Sequence, residues 1–221
     1  MLLFRFRQFN EAKSSGKAAV IAFGRFQPPT IGHEKLVATM IKLAGRNKEV
    51  RLYPSKSFDP KKNPLTFADK VKYLKIAFPG VFVDTDKTVK NPFEAIGKMI
   101  DTGYTDIMMV VGSDRLSDFK KYTKNIFKDN IDMITIISAG DRDPDSDDGL
   151  VSISASKMRQ NAIIGDLESF KSGLPKRLRK SAREVFNDIR FGMKLSEEND
   201  VIDEIKPYTR ILSFIDKLTF L

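Results

Sequence analysis

The 221-residue sequence contains no cysteine and no tryptophan, and its only histidine is His33. Without cysteine the protein can form no disulfide framework, thiolate zinc site or cysteine nucleophile. No apolar run approaches the ~18 residues that a membrane-spanning helix needs. The start, MLLFRFRQFNEA, mixes charges into its apolar residues and offers no small-residue cleavage site. We therefore expect a cytoplasmic protein with neither a secretory signal nor a membrane partner.

The chain carries a formal net charge of +9, from 38 basic and 29 acidic residues. A basic surface attracts nucleic acid, but it suits a site for triphosphates equally well. The segment FKSGLPKRLRKSAREVF concentrates lysine and arginine, whereas DRDPDSDD is acidic. Basic runs are usually solvated helix faces, and the sequence shows neither RNP-type aromatic motifs nor zinc-finger spacing. We therefore do not favour nucleic acid as the partner.

Short β-branched apolar runs alternate with segments of helical period, which is the pattern of a parallel α/β sheet. The five candidate strands are AAVIAF, VRLYPS, VFVDT, IMMVVGSD and MITIIS. This order predicts an α/β fold with a doubly wound parallel sheet of about five strands over residues 15–165. Residues 166–221 are predicted to form a helical C-terminal extension, and residues 1–14 a separate N-terminal segment.

Capping residues mark several helix starts. Thr66 can cap a helix over LTFADKVKYLKIAF, Pro92 lies in the first turn of NPFEAIGKMID, and Ser154 or Ser156 can cap ISASKMRQNAII. In the extension, Pro175 marks the start of a helix with an apolar stripe on one side. The stripe consists of Leu178, Ala182, Val185, Phe186 and Ile189. It must be buried against the core or against a second subunit, and the second arrangement would make the protein a homo-oligomer.

Three polar clusters fall at predicted strand ends: GRFQPPTIGH, GSDR and ISASKMR. In doubly wound folds, ligands bind beyond the carboxyl ends of the strands, near the point where the strand order reverses. In the first cluster Gly24 permits close backbone approach, two prolines stiffen the loop, and the start of the next helix favours phosphate. Thr30 and His33 are three residues apart, so both can face one point from the first helical turn. These features predict a phosphate-binding site.

The segment AFGRFQPPTIGHEKL resembles the signature of the adenylyltransferase and cytidylyltransferase superfamily, which is His or Thr, any residue, Gly, His. ISASKMR resembles the second signature of that superfamily, approximately Ile-Ser-Ser-Thr-x-x-Arg. NPLTFADKVKYL is similar to the Asn-Pro-Phe-Thr segment of the archaeal-type nicotinamide mononucleotide (NMN) adenylyltransferases. The resemblance implies a Rossmann-like domain that transfers a nucleotide and releases pyrophosphate.

The resemblance also implies roles for individual residues. His33 and Thr30 would contact triphosphate oxygens, and Arg159 would hold the outer phosphates, which makes these three the candidate catalytic residues. The candidate nucleotide-binding residues are Gly24, Arg25, Phe26, Gln27, Gly32, Gly112, Ser113, Asp114, Ile153, Ser154, Ser156 and Lys157. No protein metal ligand is predicted, because Mg²⁺ would bridge the phosphates and be held mostly by substrate and water.

The leading hypothesis is transfer of AMP from ATP to NMN, which gives NAD. Three departures from the archaeal-type pattern concern the acceptor: Thr30 stands where His is usual, no tryptophan is present to stack on nicotinamide, and the helical extension has no counterpart. A cytidylyltransferase, or an adenylyltransferase for another phosphorylated acceptor, is the alternative within this class. A virion or nucleic-acid-associated binding protein that kept the fold without turnover is the alternative from another class.

The two ends of the chain carry a further resemblance. FRQFNEA and LPKRLRKSAREVFNDIRFGMKL are similar to segments at the ends of predicted nucleotidylyltransferases of large tailed bacteriophages. This implies that residues 1–14 are a packaging or docking peptide, with the capsid as a partner and the host cytoplasm or the virion as the location. A frayed amphipathic first helix is the other interpretation of the same residues.

The acidic segment after the fifth strand imitates a calcium-binding loop only in part. Asp141, Asp143 and Asp145 have EF-hand spacing, but Ser146 replaces the glycine of position six and Ser152 replaces the glutamate of position twelve. We therefore predict a mobile loop that covers substrate, rather than a cation site.

Overall fold

The computed structural model describes residues 16–140 and 154–195. Four predictions from the sequence lie outside these residues. They concern the N-terminal segment 1–14, the acidic loop 141–152, the assignment of Ile153 to nucleotide binding, and the part of the extension that follows residue 195.

Five parallel strands form one sheet in the order β3-β2-β1-β4-β5. Their bounds are β1 Lys17–Gly24, β2 Glu49–Pro54, β3 Phe82–Val83, β4 Tyr104–Val111 and β5 Ile134–Ser138. Both neighbours of the central strand β1 run parallel to it, β2 on one side and β4 on the other, so the strand order reverses between β1 and β4. This sheet confirms the predicted Rossmann-like, doubly wound α/β fold.

The third strand is shorter than VFVDT predicts, because only Phe82 and Val83 pair with β2. Asp84 still donates its N–H to the carbonyl of Leu52. Its carboxylate then accepts the N–H of Asp86 at 2.8 Å, which turns the chain away from the sheet. The same carboxylate also pairs with Arg51 of β2 and with Lys98, so contacts between residues distant in the sequence override the apolar pattern of this edge strand.

Seven α-helices are present in the described residues. They are α1 Ile31–Ala44, α2 Phe67–Ala77, α3 Pro92–Asp101, α4 Leu116–Ile126, α5 Ala155–Ile163, α6 Leu167–Ser172 and α7 Ala182–Gly192. Thr66 caps α2 by accepting the N–H of Asp69, and Ser154 caps α5 by accepting the N–H of Lys157, each at 3.2 Å. Asn91 caps α3, and Pro92 occupies the first turn as predicted. None of the described helices is long and apolar enough to cross a membrane.

Successive residues of the central strand alternate between two apolar layers. Ala19 and Ile21 of β1 face α3 and α4, together with Ile96 and Met99. Val20 and Ala22 face the opposite layer, which is larger because helices from both halves of the chain contribute to it. That layer includes Met40 of α1, Leu74 of α2, Met158 of α5, Phe170 of α6 and Val185 of α7.

The described part of the extension completes this larger layer. Leu178, Ala182, Val185, Phe186 and Ile189 are all buried in the same cluster as Val20 and Leu74. The apolar stripe is therefore covered by the core of its own chain. The predicted helix from Pro175 begins as a 3₁₀ helix, Lys176–Ser181, and becomes α-helical only at Ala182.

Polar contacts reinforce the attachment of the extension. The hydroxyl of Tyr73 in α2 donates to Asp188 of α7. Arg190 donates from Nη1 to the carbonyl of Ala162 in α5 at 2.8 Å. The N–H of Ile31, the first residue of α1, donates to the carbonyl of Gly173 at 3.0 Å. The extension therefore contacts three helices of the sheet domain.

We expect Ile189→Ala to lower the free energy of unfolding by about 2–5 kcal/mol, because it removes buried methyl groups and leaves a cavity. Ile189 has no exposed surface, whereas Phe191 of the same helix is 86% exposed. Phe191→Ala is therefore the matched control, with an expected change within about 0.5 kcal/mol. Urea unfolding followed by circular dichroism measures both. Equal losses in the two variants would contradict the packing of α7 in the core.

Candidate active site

The candidate site lies at the carboxyl ends of β1 and β4, where the strand order reverses. The chain leaves β1 at Gly24, whose carbonyl accepts the N–H of Ser55 at 2.7 Å and so ties the loop after β2 to the same place. A Cβ atom on Gly24 would lie 2.9 Å from the ring of Phe26. A larger residue at this position would therefore force that buried ring to move.

Phe26 and Gln27 hold the loop between β1 and α1 in place. Phe26 has a φ of 48°, in the left-handed region, and its ring is buried. Gln27 is 2% exposed, and its amide bonds both backbone groups of Leu65: Nε2 donates to the carbonyl at 2.9 Å, and Oε1 accepts the N–H at 2.8 Å. Because both ends of this amide are engaged, the Gln27 side chain positions the loop and is not available to a nucleotide.

The loop delivers Thr30 and His33 to the start of α1. The backbone N–H of Thr30 donates to Nδ1 of His33 at 3.0 Å, and the Thr30 hydroxyl lies 3.0 Å from the same nitrogen. A backbone N–H can only donate, so Nδ1 carries no proton in this arrangement, and the neutral imidazole has its proton on Nε2. His33 thus takes the part that Glu or Gln plays at the third position of a capping box. The ring of Phe26 packs against the imidazole, with centroids 4.8 Å apart.

The first backbone N–H groups of α1 differ in their partners. The N–H of Ile31 donates to Gly173, and those of His33 and Glu34 donate to the carbonyl of Thr30. Gly32 is exposed, and within the described residues no acceptor takes its N–H. This N–H and the positive end of the helix dipole form a place for an anionic oxygen.

Arg159 reaches the same loop from α5. Its Nη1 donates to the carbonyl of Gln27 at 2.8 Å, and its Nη2 donates to the hydroxyl of Ser156 at 3.1 Å. Burial lowers the pKa of the Arg159 guanidinium and the positive charge of Arg25 lowers it further, whereas Asp59 acts in the opposite direction. Arg25 and Arg159 are therefore close enough to repel each other, and an anion between them would relieve this repulsion.

The remaining residues predicted from the sequence lie around this centre. Ser154, Ser156 and Lys157 are exposed in the cap and first turn of α5. Gly112, Ser113 and Asp114 follow β4 directly, beside the end of β1. In the described residues no hydrogen bond joins these three to the loop that carries His33. The structure thus brings the first and third polar clusters, GRFQPPTIGH and ISASKMR, into contact and leaves the second, GSDR, beside them.

Two lysines at this edge of the sheet were not predicted from the sequence. Lys56 follows β2, and its Nζ is shielded from solvent without a hydrogen-bond partner, 6.0 Å from the centroid of the Phe67 ring. Burial lowers the pKa of Lys56, against the opposing effect of Asp86. Both lysines lie in polar, lysine-containing stretches that predict solvated side chains, so the sequence offers no signal for them.

The second of these lysines, Lys70 in α2, has no exposed surface. Its Nζ donates to the carbonyl of Ser55 and, at 3.0 Å, to that of Ser57. These bonds fix the loop that carries Lys56. Burial lowers the pKa of Lys70 to about 8, because no carboxylate compensates for the lost solvation.

The chain belongs to the cytidylyltransferase-like family, whose model matches residues 21–161. The matched residues contain both polar clusters that meet at the start of α1. The protein is therefore a nucleotidylyltransferase by family. A sequence comparison with curated proteins found no match.

Two solved structures have a similar fold. One is a candidate nicotinate-nucleotide adenylyltransferase from Vibrio parahaemolyticus, with a TM-score of 0.54 and 18% identity over 75% of this chain and 98% of that chain. The other is a bifunctional NMN adenylyltransferase/ADP-ribose pyrophosphatase from Francisella tularensis, complexed with AMP and a manganese ion. Its TM-score is 0.54 and its identity 14%, over 88% of this chain and 56% of that chain. At these identities the likeness concerns the fold alone.

We expect Lys70→Met to remove a gain in stability that the protein shows as the pH rises above about 8. The pKa of Lys70 is about 8 in the folded state against an ordinary value of 10.5. Between these values the unfolded chain keeps a proton that the folded chain has lost, so raising the pH favours folding. Below about 8 both states are protonated and the contribution is constant.

Urea unfolding at two pH values, about 7.5 and 9.5, measures this effect. Lys75→Met is the matched control, since Lys75 is exposed in the same helix. Wild type and control should gain stability over this interval relative to Lys70→Met. The same pH response in all three proteins would show that Lys70 does not titrate in this range.

Proposed function

We propose that the protein transfers AMP from ATP to NMN, with formation of NAD and release of pyrophosphate. The observation that carries this proposal is that Arg159 bonds the loop leading into α1, whose first turn carries the paired Thr30 and His33, while the charge of Arg25 also reaches Arg159. Such a concentration of donors suits the several negative charges of a triphosphate.

The reaction needs positioning and stabilisation of charge rather than a covalent intermediate. A phosphate oxygen of the acceptor would attack the α-phosphorus in line, and a bond would form between them. The bond from that phosphorus to the oxygen bridging to the β-phosphate would break, and pyrophosphate would leave with the electron pair. Negative charge then grows on the leaving group, where the Nε2 proton of His33, the Gly32 N–H and Arg159 would stabilise it.

Magnesium fits this arrangement as a companion of the substrate. Among the described residues no group of three or more His, Asp or Glu side chains could hold a metal ion. Mg²⁺ would be bound mostly by phosphate oxygens and water, and it would neutralise part of the charge on the triphosphate. Arg25, Arg159 and the exposed Lys157 would bind the remaining charge.

The side of the site next to β2 carries groups that could bind the phosphate and the ring of the acceptor. The ammonium group of Lys56 is shielded from solvent and has no hydrogen-bond partner. A phosphate bound beside it would supply both an acceptor and a negative charge. Among the phenylalanines near strand ends, Phe82 already packs under the guanidinium of Arg51 at 4.2 Å, and Phe93 stacks on Phe119 at 5.6 Å. Phe58, which is 57% exposed, and Phe67 beside Lys56 are therefore the aromatic side chains best placed to stack on a nicotinamide ring.

We expect ATP to be preferred over CTP by at least tenfold, about 1.4 kcal/mol, because the GRFQP and NPLT segments resemble adenylyltransferases more than cytidylyltransferases. Isothermal titration with non-hydrolysable analogues of both nucleotides and Mg²⁺ measures the preference. Pyrophosphate release from each of the four ribonucleotides with NMN tests the reaction itself.

Tighter binding of CTP, or turnover with CTP and another phosphorylated acceptor, would favour the alternative of a cytidylyltransferase, which the family match also supports. Absence of pyrophosphate release from every triphosphate and acceptor pair would contradict the proposed class of reaction.

We expect His33→Asn to lower turnover by roughly 10²–10³ with little loss of stability, since one donor to the developing charge is lost. The Asn Oδ1 can still accept the N–H of Thr30, which His33 now does through Nδ1. His33→Ala is the comparison: it loses this cap as well and should be less stable by about 1 kcal/mol. Steady-state pyrophosphate release and thermal unfolding separate the two effects. An Asn variant with near-normal turnover would remove His33 from the mechanism.

A further inference from the structure

A basic surface lies on the extension, beside the start of α1 but formed by none of the residues assigned to nucleotide transfer. The segment 169–183, SFKSGLPKRLRKSAR, contains six lysine or arginine residues and no aspartate or glutamate. Five of the six cations fall between residues 176 and 183. They are Lys176, Arg177, Arg179, Lys180 and Arg183, and we call them the basic surface.

The 3₁₀ helix turns four cations of the basic surface outward, and the fifth, Arg183, is exposed in the first turn of α7. Pro175, Leu178 and Ala182 are buried, whereas the five basic residues between and after them are exposed. In a 3₁₀ helix residues three apart lie above one another. Pro175 and Leu178 therefore lie in one buried row, and four cations form two further rows: Arg177 with Lys180, and Lys176 with Arg179. The buried Leu178 anchors both rows to the core.

The charge of the basic surface is not neutralised within the described residues. No carboxylate there lies within 4.0 Å of any of its five cationic groups. The carboxylates of α7 have other partners, because Glu184 pairs with Lys72 and Asp188 accepts from Tyr73. Arg179 donates to the carbonyls of Leu174 and Ser172. These neutral acceptors fix the position of its guanidinium but do not neutralise its positive charge.

We propose that the basic surface binds the phosphate backbone of duplex DNA. Along a 3₁₀ helix, cations three residues apart are separated by about 6 Å. Phosphates follow every ~3.4 Å of axis along one DNA strand, and because the strand also winds around the axis, neighbouring phosphates lie about 7 Å apart in space. Each row of two outward cations can thus contact two neighbouring phosphates of one strand. Such contacts carry no sequence information, so the binding is independent of sequence.

The composition of the basic surface distinguishes this partner from an anionic membrane. Peripheral helices that bind lipid combine cations with exposed apolar side chains that enter the acyl boundary. Here the apolar residues of the same segment, Leu174, Leu178 and Ala182, are all buried. The surface offers charge alone, which suits a rigid polyanion. This inference does not depend on the proposed transfer reaction.

The full chain is titrated into a fluorescein-labelled DNA duplex of about 30 base pairs, and anisotropy is read between about 50 and 200 mM salt. The variant carries Lys176→Gln, Arg177→Gln, Lys180→Gln and Arg183→Gln. The matched control carries Lys120→Gln, Lys121→Gln, Lys124→Gln and Lys128→Gln, which remove the same charge from exposed positions on and after α4. Thermal unfolding confirms that both proteins are folded.

Wild type and control should bind with a steep salt dependence, a slope of log K against log salt of about −4. The variant should lose at least about tenfold in affinity at low salt, and its slope should flatten by about one unit for each cation removed. Absence of binding by the wild type, or equal losses in variant and control, would overturn the proposal. Stronger binding to vesicles rich in phosphatidylserine than to DNA would overturn it in favour of a membrane.

Discussion

The N–H of Thr30 donates to Nδ1 of His33, and the candidate site is organised around this bond. The bond sets the direction of the imidazole and leaves the ring proton on Nε2, so a single contact decides both where the ring points and what it can donate. The bond also gives the N–H of Thr30 an acceptor, which the helix itself does not supply at its start. The chemistry of the only histidine is therefore built into the cap of α1.

Three parts of the chain hold this cap in position. The Gln27 amide bonds the backbone of Leu65, Arg159 bonds the carbonyl of Gln27, and the carbonyl of Gly173 accepts the first N–H of α1. Each contact joins residues far apart in the sequence. The loop between β1 and α1 is thus supported by the sheet domain and by the extension together. A substitution that disturbs the packing of either should therefore displace residues of the candidate site.

The sequence predicts those features that have a local cause. The five strands and the caps at Thr66, Asn91 with Pro92, and Ser154 follow from apolar runs and capping chemistry, which act over a few residues. The short β3 does not follow, because the carboxylate of Asp84 ends it. The sequence around Lys56 and Lys70 is typical of solvated lysines, but the fold buries Lys70 and shields the Nζ of Lys56 from solvent. For Gln27 the sequence predicts a role in nucleotide binding but gives no signal that its amide bonds a residue 38 positions away.

The contact between Gly24 and Phe26 links two positions in the evolution of this chain. Any side chain at position 24 would meet the Phe26 ring, and that ring supports the imidazole of His33. Phe26 also holds a φ that costs a non-glycine residue about 1 kcal/mol or more. A lineage that enlarges residue 24 therefore displaces the Phe26 ring or replaces it by a smaller side chain, and either change weakens the support of the histidine. Positions 24, 26 and 33 should accordingly change as a set, with single exchanges rare among functional descendants.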